Sequence, residues 1–388
     1  MKIKKFKYYF SAYLLLSSIS LSGCEKIENS VTDNFNTSIS ISEENNYLLK
    51  EKSIEDKSDN LTKIDTIDTK FSTTEIVNSE TEILDKINNV TISFTGDCTL
   101  GTYATSQNRA FEVLFEKQKD YSYYFKNVKE IFENDDYTVV NLEGPLTDAT
   151  IYQDKQFAFK GRMDYVNILL NGNVEAVNLS NNHIYDYCEE GYNDTINVLK
   201  NNNIEFFDNS NFLIKEINGF KFGFAGFKAF NTYSKAEIDK CIKYFNDNDV
   251  DIKIISLHGG IEYDYQFDSI KEELAHYSID NGADLVIGHH PHILQGIEEY
   301  KNKYIIYSLG NFCYGGNRYP VDMNSMIAQV TFNFKNDEFE NYDLKLIPVS
   351  ISSVDYENNF QPTILDGDEK DKVLKLINDN SKNFIYNE

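Results

Sequence analysis

Val90-Thr-Ile-Ser-Phe-Thr-Gly96-Asp97 marks the point where the chain changes character. Its β-branched and aromatic residues read as a strand, and Gly96-Asp97 as the polar turn that ends it. Runs of the same kind recur at 137–143, 174–180, 221–227, 251–258, 284–289 and 303–310. Helix-compatible stretches at 120–133, 163–171, 191–201, 235–246 and 268–281 fall between several of them. This alternation predicts an α/β (α+β) fold built on a substantial sheet. Two later runs, 326–334 and 342–350, have no helix between them and predict an antiparallel part. A closing helix is expected over 369–380.

The polar residues that follow these runs carry the chemistry. Asp97, Glu143, Asn182-His183, His258 and His290-Pro291-His292 each come directly after an apolar, strand-like run. In α/β sheets the loops at the carboxyl ends of strands converge on one crevice. Asp, Glu, Asn and His are all metal-ligand types. Five of the six histidines sit in these loops; the sixth, His276, reads as a helix-surface residue. Carboxylates bring charge and can bridge two ions, while neutral imidazoles bind Zn, Mn or Fe. One or two divalent transition ions are therefore expected among these Asp, Glu, Asn and His residues. Two such ions can hold a hydroxide and clamp both oxygens of an in-line displacement. The single residue between His290 and His292 lets both rings reach one site, or lets one stand behind the other. His289 reads as a residue behind the ligands or as an exposed one. Cys98, beside Asp97, is either a ligand or a buried thiol, and the latter reading is favoured.

Three weaker candidates complete the set. Arg162 is either an anion contact or a solvated loop residue, Asn311 either supports the site or ends a strand, and Glu262 lies near His258. Gly315-Gly316-Asn317-Arg318 is glycine-rich but lacks the Lys-Ser/Thr of a phosphate-binding loop. No Gly-x-Ser-x-Gly elbow is present, so no side-chain nucleophile is expected.

The amino terminus reads as an address. Lys2, Lys4, Lys5 and Lys7 precede an uncharged stretch, 8–23, centred on Leu14, Leu15 and Leu16. This is the pattern of a secretory signal, too short to span a bilayer. Leu21-Ser22-Gly23-Cys24 resembles the lipobox of bacterial lipoproteins. Residues 1–23 are thus expected to be a signal peptide and Cys24 the lipidated first residue at the extracytoplasmic face of the membrane. Residues 24–88 read as a disordered acidic tether and 89–388 as one body.

Over all 388 residues there are 62 acidic and 37 basic side chains, a net charge of −25; the body alone carries −21. Such a surface disfavours nucleic acid and anionic lipid as partners. An anionic polymer can dock only where metal ions or an arginine reverse the field. The five scattered cysteines include no CxxC pair, so neither a zinc knuckle nor a disulfide framework is indicated.

Six blocks in order resemble the poly-gamma-glutamate capsule biosynthesis protein CapA family. They are Thr95-Gly-Asp97-Cys-Thr-Leu-Gly101, Val140-Asn-Leu-Glu143-Gly-Pro145-Leu-Thr147 and Asn178-Leu-Ser-Asn-Asn182-His183-Ile-Tyr-Asp186. They continue with Ser256-Leu-His258-Gly-Gly260-Ile-Glu262-Tyr263, Gly282-Ala-Asp-Leu-Val-Ile-Gly288-His-His290-Pro-His292 and Tyr307-Ser-Leu-Gly-Asn311-Phe312. The family's fold is similar to the calcineurin-like metallophosphoesterases. The resemblance implies a four-layer sandwich of two mixed β-sheets flanked by helices. It implies Asp97 as first-strand ligand, Glu143 in the bridging place, Asn182 as ligand and His183 as its catalytic partner. His258 and His290 would serve one ion and His292 the other. Thr99 departs from the pattern, standing where a metallophosphoesterase has a ligand His. That ion would be weak, absent, or completed by Glu262 or water. The implied role is capsule-polymer synthesis or export beside membrane-bound synthase partners, with a phosphoesterase-type hydrolytic site. The alternatives are a noncatalytic assembly protein that keeps the fold, or a general surface phosphodiesterase.

Overall fold

A computed structural model describes residues 86–387. The signal, Cys24 and nearly all of the tether lie outside the described residues. The strand that opens the body spans Ile87–Thr99, so Ile87 and Asn88, read as the end of the tether, already pair with Lys335 and Phe334. From Ile92 onward every residue of this strand is buried, the polar Ser93, Thr95 and Asp97 included, so both faces of its apolar–polar alternation meet protein.

The strand sits within an eight-stranded mixed sheet. The order is Thr363–Ile364, Glu338–Ser350, Asn324–Lys335, Ile87–Thr99, Tyr137–Leu142, Ala176–Asn178 and Glu205–Phe207, with Asn311–Tyr314 also paired to Ile87–Thr99. A second sheet of six strands runs Ile297–Tyr300, Lys303–Ile306, Leu285–His289, Ile252–His258, Phe220–Lys228 and Leu213–Ile217. The two sheets share one core, in which Ile92, Phe94 and Val139 of the first meet Phe222, Phe224, Ile254 and Ile287 of the second. Helices Val166–Asn171 and Cys188–Asn201 cover the outer face of the first sheet through Ile168, Leu169, Val198 and Leu199. Helices Lys235–Asp247 and Ser269–Asp280 cover that of the second through Ile238, Ile242, Phe245 and Leu274. The result is the expected four-layer sandwich. Asp268 caps the last of these helices by accepting from the N–H groups of Ile270 and Lys271. Among the described residues, no helix is long and apolar enough to cross a membrane.

The local expectations hold unevenly. The two late runs form a hairpin, Asn324–Lys335 with Glu338–Ser350, turned at Asn336 and Asp337. Both turn residues have positive φ, as a tight primed turn requires. Segment 120–133, read as one helix, is instead a 3₁₀ turn at Tyr121–Tyr123 and a short helix at Lys129–Glu133. Asp120 caps the 3₁₀ turn, and Val128 leaves helical geometry before the second piece. Helix Ala110–Gln118 escaped the sequence reading because its first residue follows Arg109 in the left-handed region, with no side-chain cap to announce it. Strands Glu205–Phe207 and Leu213–Ile217 are short and lie at sheet edges, where no alternation builds up.

At the strand-start end, Glu175 accepts from the N–H of Thr138 at 2.8 Å. Burial, with the Asp135 charge adding to it, pushes its carboxyl up to about 7. The unfolded chain ionises near 4.5 and therefore releases its proton first, so stability falls as pH rises from 4.5 through 7. Allowing for the side of Glu175 that faces solvent, the loss is roughly 2 kcal/mol. Urea midpoints at pH 5 and pH 8 should show it, and Glu175→Gln should reduce the difference.

Candidate metal centre

Both sheets present the carboxyl ends of their parallel strands at one edge of the sandwich. Asp97 lies at the end of Ile87–Thr99, where the register slips between Phe94 and Asp97. Gly96 makes the slip possible: a Cβ there would lie 2.2 Å from the Gly310 carbonyl oxygen. The Asp97 N–H instead donates to that carbonyl at 2.9 Å. Glu143 follows Tyr137–Leu142, and Asn182-His183 follow Ala176–Asn178. From the second sheet come His258, ending Ile252–His258, and the His289–His292 segment after Leu285–His289. His290 and His292 hold positive φ values of 97° and 60°, unusual for residues with a Cβ, and this turns their rings toward one place. Buried Lys271 braces the turn by donating from Nζ to the His289 carbonyl at 2.9 Å.

Three overlapping groups of ligand atoms result, the atoms of each within 4.8 Å of one another: Glu143 with His258 and His290, Asp97 with Glu143 and His292, and Glu262 with His290 and His292. Glu143 thus belongs to two groups. Asn182 joins through its Oδ1, 2.7 Å from His258 Nε2. Glu262 comes in from its exposed loop to meet His290 and His292. Thr99 itself donates its hydroxyl to Glu143 Oε2 at 3.4 Å. Asn311 holds His292 at both ends: its Oδ1 lies 3.0 Å from the ring Nδ1, and its amide donates to the His292 carbonyl at 3.1 Å.

The electrostatics of these residues call for a cation. Asp97, Glu143 and His258 are at most 1% exposed. Glu143 Oε1 and His290 Nδ1 are buried without a hydrogen-bond partner, a cost of about 1–3 kcal/mol each when left unmet. Burial and the neighbouring Asp97 charge push Glu143 up to about 8. Burial also opposes ionisation of Asp97, but hydrogen bonds from His289 and His292 hold it well below the usual carboxylate range. Burial and His292 take His290 down to about 3, and burial and His290 hold His258 well below an ordinary histidine. Burial opposes protonation of His292 too, but Glu143 and Asp97 prevail and raise it to about 9. Two carboxylates side by side and two neutral imidazoles are a set that a divalent ion satisfies, and the residues present fit one.

Beside this cluster, His183 Nδ1 lies 2.7 Å from Asp186 Oδ2. Lys155 is ion-paired to the other Asp186 oxygen and donates to the Asn182 carbonyl at 3.1 Å. Nε2 of His183 remains for a cavity of about 210 Å³, which His183 lines together with His292, Glu262, Tyr263 and Phe159.

Two of three further residues fall elsewhere than the sequence suggested, and the third, Cys98, is the buried thiol that the sequence favours. Arg162 is not among the residues lining the cavity; its guanidinium is committed to Asp164 and Glu116, and Arg318 stands at the cavity instead. His276 is not a free surface residue. It stacks on Tyr300 and bonds Glu298 at 2.9 Å, where Lys382 supplies the positive charge at 3.1 Å. Cys98 is buried, with its thiol pushed up to about 12, and joins none of the ligand groups. Sequence reading missed Asn141, Asp186 and Lys155. Asn141 donates to Asp97 Oδ1 at 2.8 Å, sits 3.2 Å from His258 Nδ1 and accepts from Asn178, tying both sheets to the site. Its signal was a lone amide inside the apolar run Val139-Val140-Asn141-Leu142.

This sandwich, with its carboxylate–imidazole cluster at the strand ends, is the architecture the six sequence blocks implied. The family model described as "Bacterial capsule synthesis protein PGA_cap" matches residues 91–315. The chain belongs to that family. It is 30% identical over 253 residues to the Capsule biosynthesis protein CapA of Bacillus anthracis, covering 58% of this chain and 60% of that one. It is 29% identical over 245 residues to the PGA biosynthesis protein CapA of Bacillus subtilis (strain 168), covering 57% and 62%. The match thus spans about three fifths of the length of these curated relatives. The crystal structure of TT1561 of Thermus thermophilus has a TM-score of 0.37 and 11% identity, covering 62% of this chain and 94% of that one.

Proposed function

We propose that this protein works in capsule-polymer assembly at the outer face of the cell membrane, anchored through Cys24 beside membrane-bound synthase and export partners. Its site is a divalent-metal hydrolase centre of the phosphoesterase type, holding one or two Mn, Fe or Zn ions on Asp97, Glu143, Asn182, His258, His290 and His292. The observation that carries this reading is the pair of orphaned buried atoms, Glu143 Oε1 and His290 Nδ1, on two residues that converge in one group of ligand atoms, beside a buried His–Asp dyad whose histidine lines the cavity. When bound, such an ion polarises a phosphoryl oxygen and neutralises developing charge. The rest falls to this chain's own residues. His183 delivers a proton from Nε2 to the leaving oxygen, while Asp186 fixes the opposite edge of the ring and Lys155 fixes Asp186. Phe159, edge-on to His183 at 4.7 Å between ring centroids, limits water on that side. An anionic polymer or phosphoester meets the carboxylate-rich surface only at this metal-loaded mouth and at Arg318.

One observation favours a second reading, a noncatalytic assembly role: Thr99 donates to Glu143 where a further ligand would stand. The full-length chain, reconstituted with each metal and assayed on mono- and diester phosphates, separates the two. Turnover that is lost in His290→Ala and Glu143→Ala supports the enzyme. No turnover, with normal capsule from a His183→Ala strain, supports the scaffold.

A further inference from the structure

Among the described residues, seventeen large apolar or aromatic side chains are exposed, and ten of them sit on four short segments, 151–157, 230–233, 261–265 and 319–321. These segments surround the metal centre. Phe230 packs edge-on to His290 at 4.8 Å, and the Tyr263 N–H donates to the Pro291 carbonyl at 2.9 Å. Phe157, Tyr263 and Arg318 line the cavity, and the Tyr265 hydroxyl bonds Asp322 at 3.2 Å, joining two of the segments. The tips stand far out: Tyr233 and Val321 are 84% exposed, Ile151 70%, Tyr319 65% and Ile261 58%. Scattered exposed apolar residues need no explanation, but a ring of them around a polar cavity marks a contact surface.

We infer that this collar is a membrane-docking surface that seats the mouth of the site on the headgroup layer of a lipid bilayer. Tyrosine dominates it, and a tyrosine carries an apolar body with a polar tip, suited to that layer. The tips stand on four separate segments, with the polar Glu262 and Arg318 at the cavity among them, so they form no continuous self-complementary face for a second copy. The one cation within these segments, Lys155, is ion-paired to Asp186, so the tips offer no free positive charge to grip a polyanion. The body charge of −21 repels anionic headgroups, so the matching lipid is zwitterionic. Cys24, the residue the sequence marks for lipidation, lies 62 residues before Lys86, where the described body begins. An anchor in the same chain keeps the bilayer at high local concentration, so shallow, individually weak insertions suffice. The docked mouth would take a phosphorylated group presented at the membrane surface rather than one diffusing in bulk water.

The chain contains no tryptophan, so a single introduced one is an unambiguous reporter. Full-length Val321→Trp and Tyr233→Trp proteins would be reconstituted into phosphatidylcholine vesicles with and without brominated acyl chains. Tyr244→Trp is the control: it lies near the far end of helix Lys235–Asp247, which runs back from the collar. The expected result is loss of emission for both collar reporters in brominated vesicles, with the control unchanged, and reversal of that loss when Ile151, Ile261 and Tyr319 are changed to serine. Equal emission in both vesicle types overturns the inference, as does equal quenching of the control. A blue shift of the collar reporters on concentrating lipid-free protein assigns the collar to a second copy and also overturns it. Neither metal nor turnover enters the readout, so failure here and failure of the proposed hydrolase are distinguishable.

Discussion

His183→Ala is expected to lower kcat on a phosphodiester with an alkyl leaving group by about 10²–10⁴, the usual contribution of a positioned acid–base residue. Metal content should not change, because His183 belongs to none of the three groups of converging ligand atoms. Its Nδ1 is held by Asp186, itself fully buried, so the ring is fixed with Nε2 toward the cavity. Asp186→Asn should retain the fold and lose a smaller part of kcat, since it disturbs the hydrogen bond that sets ring orientation. A leaving group that needs no proton, such as nitrophenolate, should recover much of the loss in His183→Ala. Steady-state kinetics on both substrates checks this, and equal loss on the two would remove His183 from the proton-transfer role.

The second large effect belongs to Glu143. It supplies oxygens to two of the ligand groups, so Glu143→Ala should abolish the rise in stability that divalent cations give the wild type. At a cation concentration about 100 times Kd, that rise is about 2.7 kcal/mol, a shift of several degrees in Tm. Without cation the sign reverses. Burial and Asp97 raise the folded Glu143 to about 8 from an unfolded value of 4.5. The folded state then holds a proton that the unfolded chain has released, and metal-free stability falls as pH rises from 4.5 through 8. Glu143→Gln lacks that titration and should be less sensitive to pH over the same window. Differential scanning fluorimetry with and without chelator, across pH, measures both effects.

How much of this was legible in the sequence depends on what each feature rests upon. The strands that end in site residues are largely buried, so they appear as runs rich in apolar and β-branched residues, and the polar residue that follows each run is the site. That is why Asp97, Glu143, His258 and the His290–His292 pair could be read directly. Arg162 could not be placed, because whether an arginine meets an anion depends on which carboxylates the fold brings to it, here Asp164 and Glu116. Lys155 and Asp186 are 31 residues apart, and their ion pair is set by the path of an irregular loop. Asn141 was visible only as an exception inside a strand. Helix Ala110–Gln118 had no cap to announce it, and the edge strands were too short to show a period.

The central claim is that the Asp97–Glu143–His258–His290–His292 cluster is a divalent-metal site. Anomalous diffraction from crystals of the full-length protein grown with Mn²⁺ tests it most directly. The expected result is a peak within ligand distance of Glu143, with His258 and His290 or with Asp97 and His292. Crystals that hold Mn²⁺ only elsewhere, for example at Glu272, His276 and Glu298, or nowhere at all, would contradict it.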